Sequence, residues 1–202
     1  MTVVYVRHGE SVGNVQRVIQ GWLDLPLTPR GEAQAMAAGR RIAATTAAVA
    51  LYTSPLLRAR RTAEIIGEGA GLEVLAIDGL REYGFGEAEG LRWPEAATRW
   101  GLADRDWGVG QVPGEEGMEA FRQRVREAFE ALHERHRDSL AVAVVHGGVL
   151  GAMLGTLWGL APHEHVQVYS SNCGMTTVAD ERGQPAVIGL NDVCHLREGV
   201  AS

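Results

Sequence analysis

Two histidines stand at the ends of apolar runs, each followed by glycine: Val3-Val4-Tyr5-Val6-Arg7-His8-Gly9 and Ala141-Val142-Ala143-Val144-Val145-His146-Gly147-Gly148. A neutral imidazole is a competent nucleophile toward phosphorus, because its ordinary pKa lies close to neutral pH. Displacement at a phosphomonoester also needs in-line geometry and cationic donors around the non-bridging oxygens, and little other chemistry from the protein. Arg7 supplies one such donor beside His8. The backbone amides of Gly147 and Gly148, at an expected helix start, would add donors to the same anion. These residue types point to the handling of a phosphate group.

That chemistry requires the two histidines to share one crevice. Short β-branched runs bounded by glycine read as buried strands. In an open parallel sheet, the carboxyl ends of the strands deliver their residues to one edge, where ligands bind. The pattern predicts a strand over residues 2–7, then a turn and helix start through Gly9-Glu10-Ser11-Val12-Gly13-Asn14. A loop from Gln20 to Leu27 follows, then a helix from Thr28-Pro29 to about Ala44, with threonine as cap and proline in the first turn. A strand over 49–53 and a helix over 56–67 come next, before a glycine-rich, acidic loop from Leu75 to Pro94. Residues 115–137 read as an amphipathic helix, with Met118, Phe121, Val125, Ala128 and Leu132 on one face. The strand ending at His146 leads into an apolar helix to about Leu160. Three short strands close the chain near 165–170, 174–179 and 186–190, with hairpins at Asn172-Cys173-Gly174 and Glu181-Arg182-Gly183. Strand–helix alternation predicts an α/β fold, a three-layer α/β/α sandwich with a mostly parallel central sheet made mixed by those hairpins. The 202 residues suit a single domain spanning 1–202, with a loop or cap insertion at about 80–115.

The formal net charge of -6 argues against a nucleic-acid partner. It leaves room for an anionic substrate, since a few arginines in a cleft focus a local field. All 19 basic residues are arginine, so arginine at any one position is weaker evidence for oxyanion recognition than usual. No apolar stretch approaches the roughly 20 residues of a membrane span, and the amino terminus lacks the form of a signal peptide. Cys173 and Cys194 have no Cys-x-x-Cys spacing and read as reduced thiols. A cytoplasmic location is expected. His163 and His165 lack a supporting carboxylate or thiol cluster and read as surface residues rather than a metal pair. His133 and His136, on the long helix, are expected to face solvent. Trp93, Trp100 and Trp107 read as core packing, with lining of a substrate cap as the alternative.

Five segments in order resemble the histidine phosphatase superfamily, which includes the cofactor-dependent phosphoglycerate mutases. Val6-Arg7-His8-Gly9-Glu10-Ser11-x-x-Asn14 resembles its signature, and Gly21-Trp22-Leu23-Asp24-Leu25-Pro26-Leu27-Thr28-Pro29-Arg30-Gly31 its substrate loop and following helix start. Tyr52-Thr53-Ser54-Pro55-Leu56-Leu57-Arg58-Ala59-x-x-Thr62-Ala63 is similar to its second arginine motif. Leu80-Arg81-Glu82-Tyr83-Gly84-Phe85-Gly86-x-x-Glu89-Gly90 resembles the segment carrying its acid, and Val144-Val145-His146-Gly147-Gly148 its second histidine.

The resemblance implies a phosphoglycerate mutase-like fold and assigns roles. His8 would attack phosphorus and carry a phosphohistidine. Arg7, Arg58 and His146 would hold the phosphoryl oxygens, and Glu82 would protonate the leaving oxygen and later activate water. Ser11, Asn14, Gln20, Gly21 and Gly147 are expected at the substrate. No metal and no resident cofactor are implied for a phosphatase; bisphosphoglycerate would be needed only by a mutase. Two departures stand out: Ala88 where the pattern often has tryptophan, and Glu115 in the Pro113-Gly114-Glu115-Glu116 turn where it has glycine. The stretch from about Glu95 to Gln111 holds only Arg99 and Arg105 as basic residues, which disfavours a grip on a second phosphate. The favoured reading is therefore a phosphatase acting on small phosphomonoesters. A mutase, a non-catalytic phospho-ligand binding module and a metal-dependent hydrolase are the alternatives. A homodimer is compatible with the sequence.

Overall fold

The computed structural model describes residues 2–45, 47–103, 110–160, 168–181 and 183–197. Six strands form one sheet: β1 (Thr2–Arg7), β2 (Ala48–Thr53), β3 (Val74–Ala76), β4 (Leu140–Val145), β5 (Met175–Glu181) and β6 (Gln184–Asp192). Their order is β3-β2-β4-β1-β5-β6. β3, β2, β4 and β1 run parallel, and β5 and β6 close the sheet as an antiparallel hairpin. The expected sandwich is therefore present, with a mixed sheet.

The two faces of the sheet follow from side-chain alternation along the strands. Val3, Tyr5, Ala141, Ala143 and Val145 pack with Phe121, Val125 and Leu132 of α5 (Met118–Arg135) and with Leu150 and Met153 of α6 (Gly147–Leu157). Val4, Val6, Leu51, Val142 and Val144 pack with Ala35, Ala38 and Ile42 of α2 (Pro29–Thr45) and with Ala63 and Ile66 of α3 (Leu57–Ala70). Residues 141–145 of β4 are buried on both faces, which explains why that strand reads as a continuous apolar run.

Local signals placed several element starts. Thr28 Oγ1 accepts from the Gly31 amide at 3.0 Å, capping α2 as expected. Ser11 caps α1 (Val12–Gln16) in a reciprocal box with Asn14. A Cβ on Gly9 would lie 2.5 Å from the Gly31 carbonyl oxygen, so glycine after His8 lets the α2 start pack against the turn.

Other expectations need correction. His133 and His136 are buried, not solvent-facing. The Tyr5 hydroxyl lies 3.0 Å from His133 Nε2, and the Tyr52 hydroxyl 2.9 Å from His136 Nε2. Phenols projecting from β1 and β2 thus give the two imidazoles a polar partner inside the core. The segment 165–170 falls partly outside the described residues, and 168–170 form no strand. The turn at 172–174 is not a hairpin: the Cys173 amide donates to the Arg7 carbonyl at 2.9 Å and so ties the chain to the end of β1. Within the stretch from Leu75 to Pro94, two short 3₁₀ turns (Asp78–Leu80 and Gly86–Ala88) replace an irregular loop. β3 precedes them, and an unforeseen α4 (Trp93–Trp100) follows. Ala88, Ala96, Leu102 and Val112 form a small core there, with Trp93 and Trp100 packed on it. Trp107, His163 and His165 lie outside the described residues. Both cysteines are free thiols, and burial pushes Cys173 up to about 12.

Candidate active site

Register brings the two histidines together. Arg7 pairs with Val145 across β1 and β4, so His8 and His146 leave adjacent parallel strands at the same level. Their ring centroids are 5.2 Å apart. His8 Nδ1 lies 2.8 Å from the Gly9 carbonyl oxygen. A carbonyl only accepts, so Nδ1 carries the proton and Nε2 keeps its lone pair. Burial first, and then the Arg58 and Arg7 guanidinium groups, push the pKa of His8 well below the ordinary imidazole value. His146 is lowered by burial and by Arg58, His8 and Arg7. Both shifts favour the neutral imidazole.

Two arginines face them. Arg58, from the first turn of α3, is 1% exposed. It donates to the Leu23 carbonyl at 3.0 Å and to the Gly21 carbonyl at 2.8 Å, which ties the loop 20–24 to the site. Arg7 donates through Nη1 to the Ser170 carbonyl. Arg7 Nε, Arg58 Nε and both ring nitrogens of His146 are buried and have no partner among the described residues. Buried polar atoms are normally paired, so a convergent set without protein partners suits a bound oxyanion.

A cavity of about 260 Å³ opens over this floor, lined by Arg7, His8, Gln20, Gly21, Arg58, Glu82 and Gly147. Ile19, Phe85 and Trp93 complete its walls, and no spacing signal in the sequence picks out Ile19 or Phe85. His146 sits immediately behind, fully buried. Ser11 and Asn14, expected at the substrate, do not line the cavity. The Ser11 hydroxyl donates to Asn14 Oδ1 at 2.9 Å or Gln20 Oε1 at 2.7 Å, and Asn172 Nδ2 bridges Asn14 Oδ1 and the His8 carbonyl. These residues hold the backbone around His8 rather than face the cavity.

Of the three acids in the loop, Glu82 alone lines the cavity. Glu89 accepts from the amides of Trp22 at 2.8 Å and Phe85 at 3.1 Å, and Glu87 pairs with Arg99 at the surface. Glu82 accepts from its neighbour's amide, Tyr83, at 3.0 Å and from the Gly148 amide at 3.0 Å. The Gly148 amide, an expected donor to the anion, is engaged by the Glu82 carboxylate instead. A Cβ on Gly148 would lie 2.2 Å from Glu82 Oε1, which explains the second glycine after His146. Among the described residues, no three His, Cys, Asp or Glu side chains cluster as metal ligands.

An α/β sheet that delivers two histidines and two guanidinium groups to one edge defines a phosphoryl-binding architecture. The chain belongs to the histidine phosphatase superfamily, branch 1, whose family model matches residues 3–193. It is 36% identical over 183 residues to a probable phosphoglycerate mutase, GpmB, of Yersinia enterocolitica, covering 88% of this chain and 84% of that protein. Among solved structures it resembles YhfR of Bacillus stearothermophilus, with a TM-score of 0.86, 32% identity and coverage of 96% and 98%. It also resembles a histidine-to-alanine variant of phosphoserine phosphatase from Entamoeba histolytica in complex with phosphoserine (TM-score 0.81, 26% identity, coverage of 96% and 98%).

Proposed function

We propose that the protein is a phosphatase that hydrolyses small phosphomonoesters through a phosphohistidine on His8. The observation that carries this reading is the His8 ring, whose Nδ1–H is fixed on the Gly9 carbonyl and whose Nε2 is left as a neutral nucleophile beside two guanidinium groups. Nε2 attacks phosphorus as the bond to the ester oxygen breaks. Arg7, Arg58 and His146 hold the non-bridging oxygens, and the protonated Glu82 carboxyl gives its proton to the departing oxygen. Water then attacks the phosphohistidine. Glu82 takes its proton, inorganic phosphate leaves, and the neutral ring is restored.

Hydrolysis is favoured over transfer by the outer walls. Ile19, Phe85 and Trp93 give the cavity apolar outer walls suited to a leaving alcohol, and among the described residues Arg7 and Arg58 are the arginines that line it. A mutase needs further cations to grip a carboxylate and a second phosphate. The mutase reading is supported by the similarity to probable phosphoglycerate mutases, the Yersinia protein among them. The reaction uses no metal and no resident cofactor, and the partner is a small-molecule monoester in the cytoplasm. Among the described residues no helix is long and apolar enough to cross a membrane.

The test is phosphate release from a panel of monoesters, with and without bisphosphoglycerate and with and without chelator. The wild type releases phosphate under all conditions, and His8→Ala loses at least about 100-fold in kcat/KM. Turnover that depends on bisphosphoglycerate would assign the mutase reaction instead.

A further inference from the structure

Residues 79–82, which carry the acid, are held from beneath by one side chain that never reaches the cavity. Arg124, on α5, donates through Nη1 to the carbonyls of Gly79 at 3.1 Å and Arg81 at 2.7 Å. Its Nη2 donates to the Glu82 carbonyl at 2.8 Å and to Glu116 Oε2 at 2.8 Å, while Nε donates to Glu116 Oε1. A guanidinium has five N–H donors, and all five are used. The pair is shielded, with side-chain exposures of 21% for Arg124 and 10% for Glu116.

The clamp reaches both sides of the acid. Glu116 Oε2 also accepts from the Gly84 amide at 3.2 Å. Its neighbour Glu115, the residue that departs from the family pattern, accepts the Tyr83 hydroxyl proton at 2.9 Å. The Trp22 indole gives the Glu82 carbonyl a second donor at 2.8 Å. Among the described residues, both hydrogen bonds to the Glu82 carboxylate come from backbone amides, Tyr83 and Gly148. The direction of that carboxylate is thus set by how the backbone of residues 79–84 runs against the start of α6. A misplacement of about 1 Å at a reacting group costs on the order of 100-fold in rate.

We propose that Arg124, locked by Glu116, is a positioning residue for the proton step, setting the aim of Glu82 at the leaving oxygen through three backbone carbonyls. The proposal rests on Glu82 being the acid. A lysine keeps the charge but not the planar five-donor fork, so Arg124→Lys should behave like Arg124→Ala.

The experiment compares an aryl ester, p-nitrophenyl phosphate, with an alkyl ester, β-glycerophosphate, because the poorer alkyl leaving group needs the proton more. Glu82→Gln lowers kcat/KM, which reports the phosphorylation step and not the shared hydrolysis of the phosphohistidine, by about 100-fold on the alkyl ester and by less than about 10-fold on the aryl ester. Arg124→Ala and Arg124→Lys show the same preference, with an alkyl loss of about 30-fold, an aryl loss under about 3-fold and KM within about 3-fold. In the Glu82→Gln background, Arg124→Ala adds less than about 2-fold, since the two act on one step. Glu116→Gln, a milder change, gives an alkyl-selective loss of about 5-fold and provides the same readout if the Arg124 variants do not fold. Equal losses on both esters, full multiplication in the double variant or full rescue by lysine overturns the proposal while the acid assignment stands. If Glu82→Gln is not selective between esters, the acid assignment fails and the positioning role falls with it.

Discussion

The floor and the roof of the cavity are built by different means. The floor is sheet: His8 and His146 end paired strands, with residues 141–145 buried on both sides and Arg7 in register with Val145. The roof, residues 82–93, contains no strand and is positioned by side chains, namely Arg124, Glu116, Glu89 and Trp22, above a small apolar core of its own. Ladder hydrogen bonds and two-sided packing fix the strand ends that carry Arg7, His8 and His146, the groups proposed to meet the phosphoryl oxygens, and Arg58 joins them from the first turn of α3. A network open to single substitutions fixes Glu82, proposed to meet the leaving alcohol. In the proposed reaction charge handling is thereby separated from leaving-group handling, and loop changes can alter the second without disturbing the first.

This contrast can be broken by substitutions on each side. On the floor, Arg58→Ala should lower kcat/KM by about 100- to 1,000-fold on aryl and alkyl esters alike, as expected for loss of an oxyanion donor. A strong preference between esters would mean that Arg58 serves the leaving group instead. On the roof, Trp93→Ala should raise KM for p-nitrophenyl phosphate by about 3- to 10-fold and leave inhibition by inorganic phosphate within about 2-fold. A comparable loss of phosphate affinity would place the tryptophan against the phosphoryl group.

The smallest effect comes from the last turn of α5. Burial pushes His133 down from an ordinary 6.5 to about 4. The unfolded chain takes up a proton on that ring below about pH 6.5, which the folded chain refuses until about pH 4. Stability that is complete above pH 6.5 is therefore lost as pH falls from 6.5 towards 4. The melting temperature of the wild type should decline across that window, and more gently in His133→Gln. Unchanged slopes would show that the ring is already accessible in the folded state.

The floor was legible in the sequence because β-branched runs ending in histidine and glycine carry their own strand signal, and register then does the rest. Thr28-Pro29 announced α2 for an equally local reason. Ser11 caps α1 and does not line the cavity, and a serine that caps a short helix and one that touches a ligand look alike in sequence. Polarity alone points His133 to solvent. Its spacing, four residues after Phe129 and one after Leu132, puts it on the buried face, and the deciding partner, Tyr5, lies 128 residues away. α4 was hidden by glycine-rich flanks. The Arg124 clamp was invisible because its arginine, two acids and three carbonyls meet only in space.

The most direct measurement is a rapid acid-free quench of the enzyme with radiolabelled monoester, followed by peptide mapping. Label that is stable to base, labile to acid and confined to the peptide containing His8, forming and decaying at rates that account for turnover, is the expected result. Label on another residue, or single-turnover release of phosphate with none captured on the protein, would contradict the phosphohistidine route.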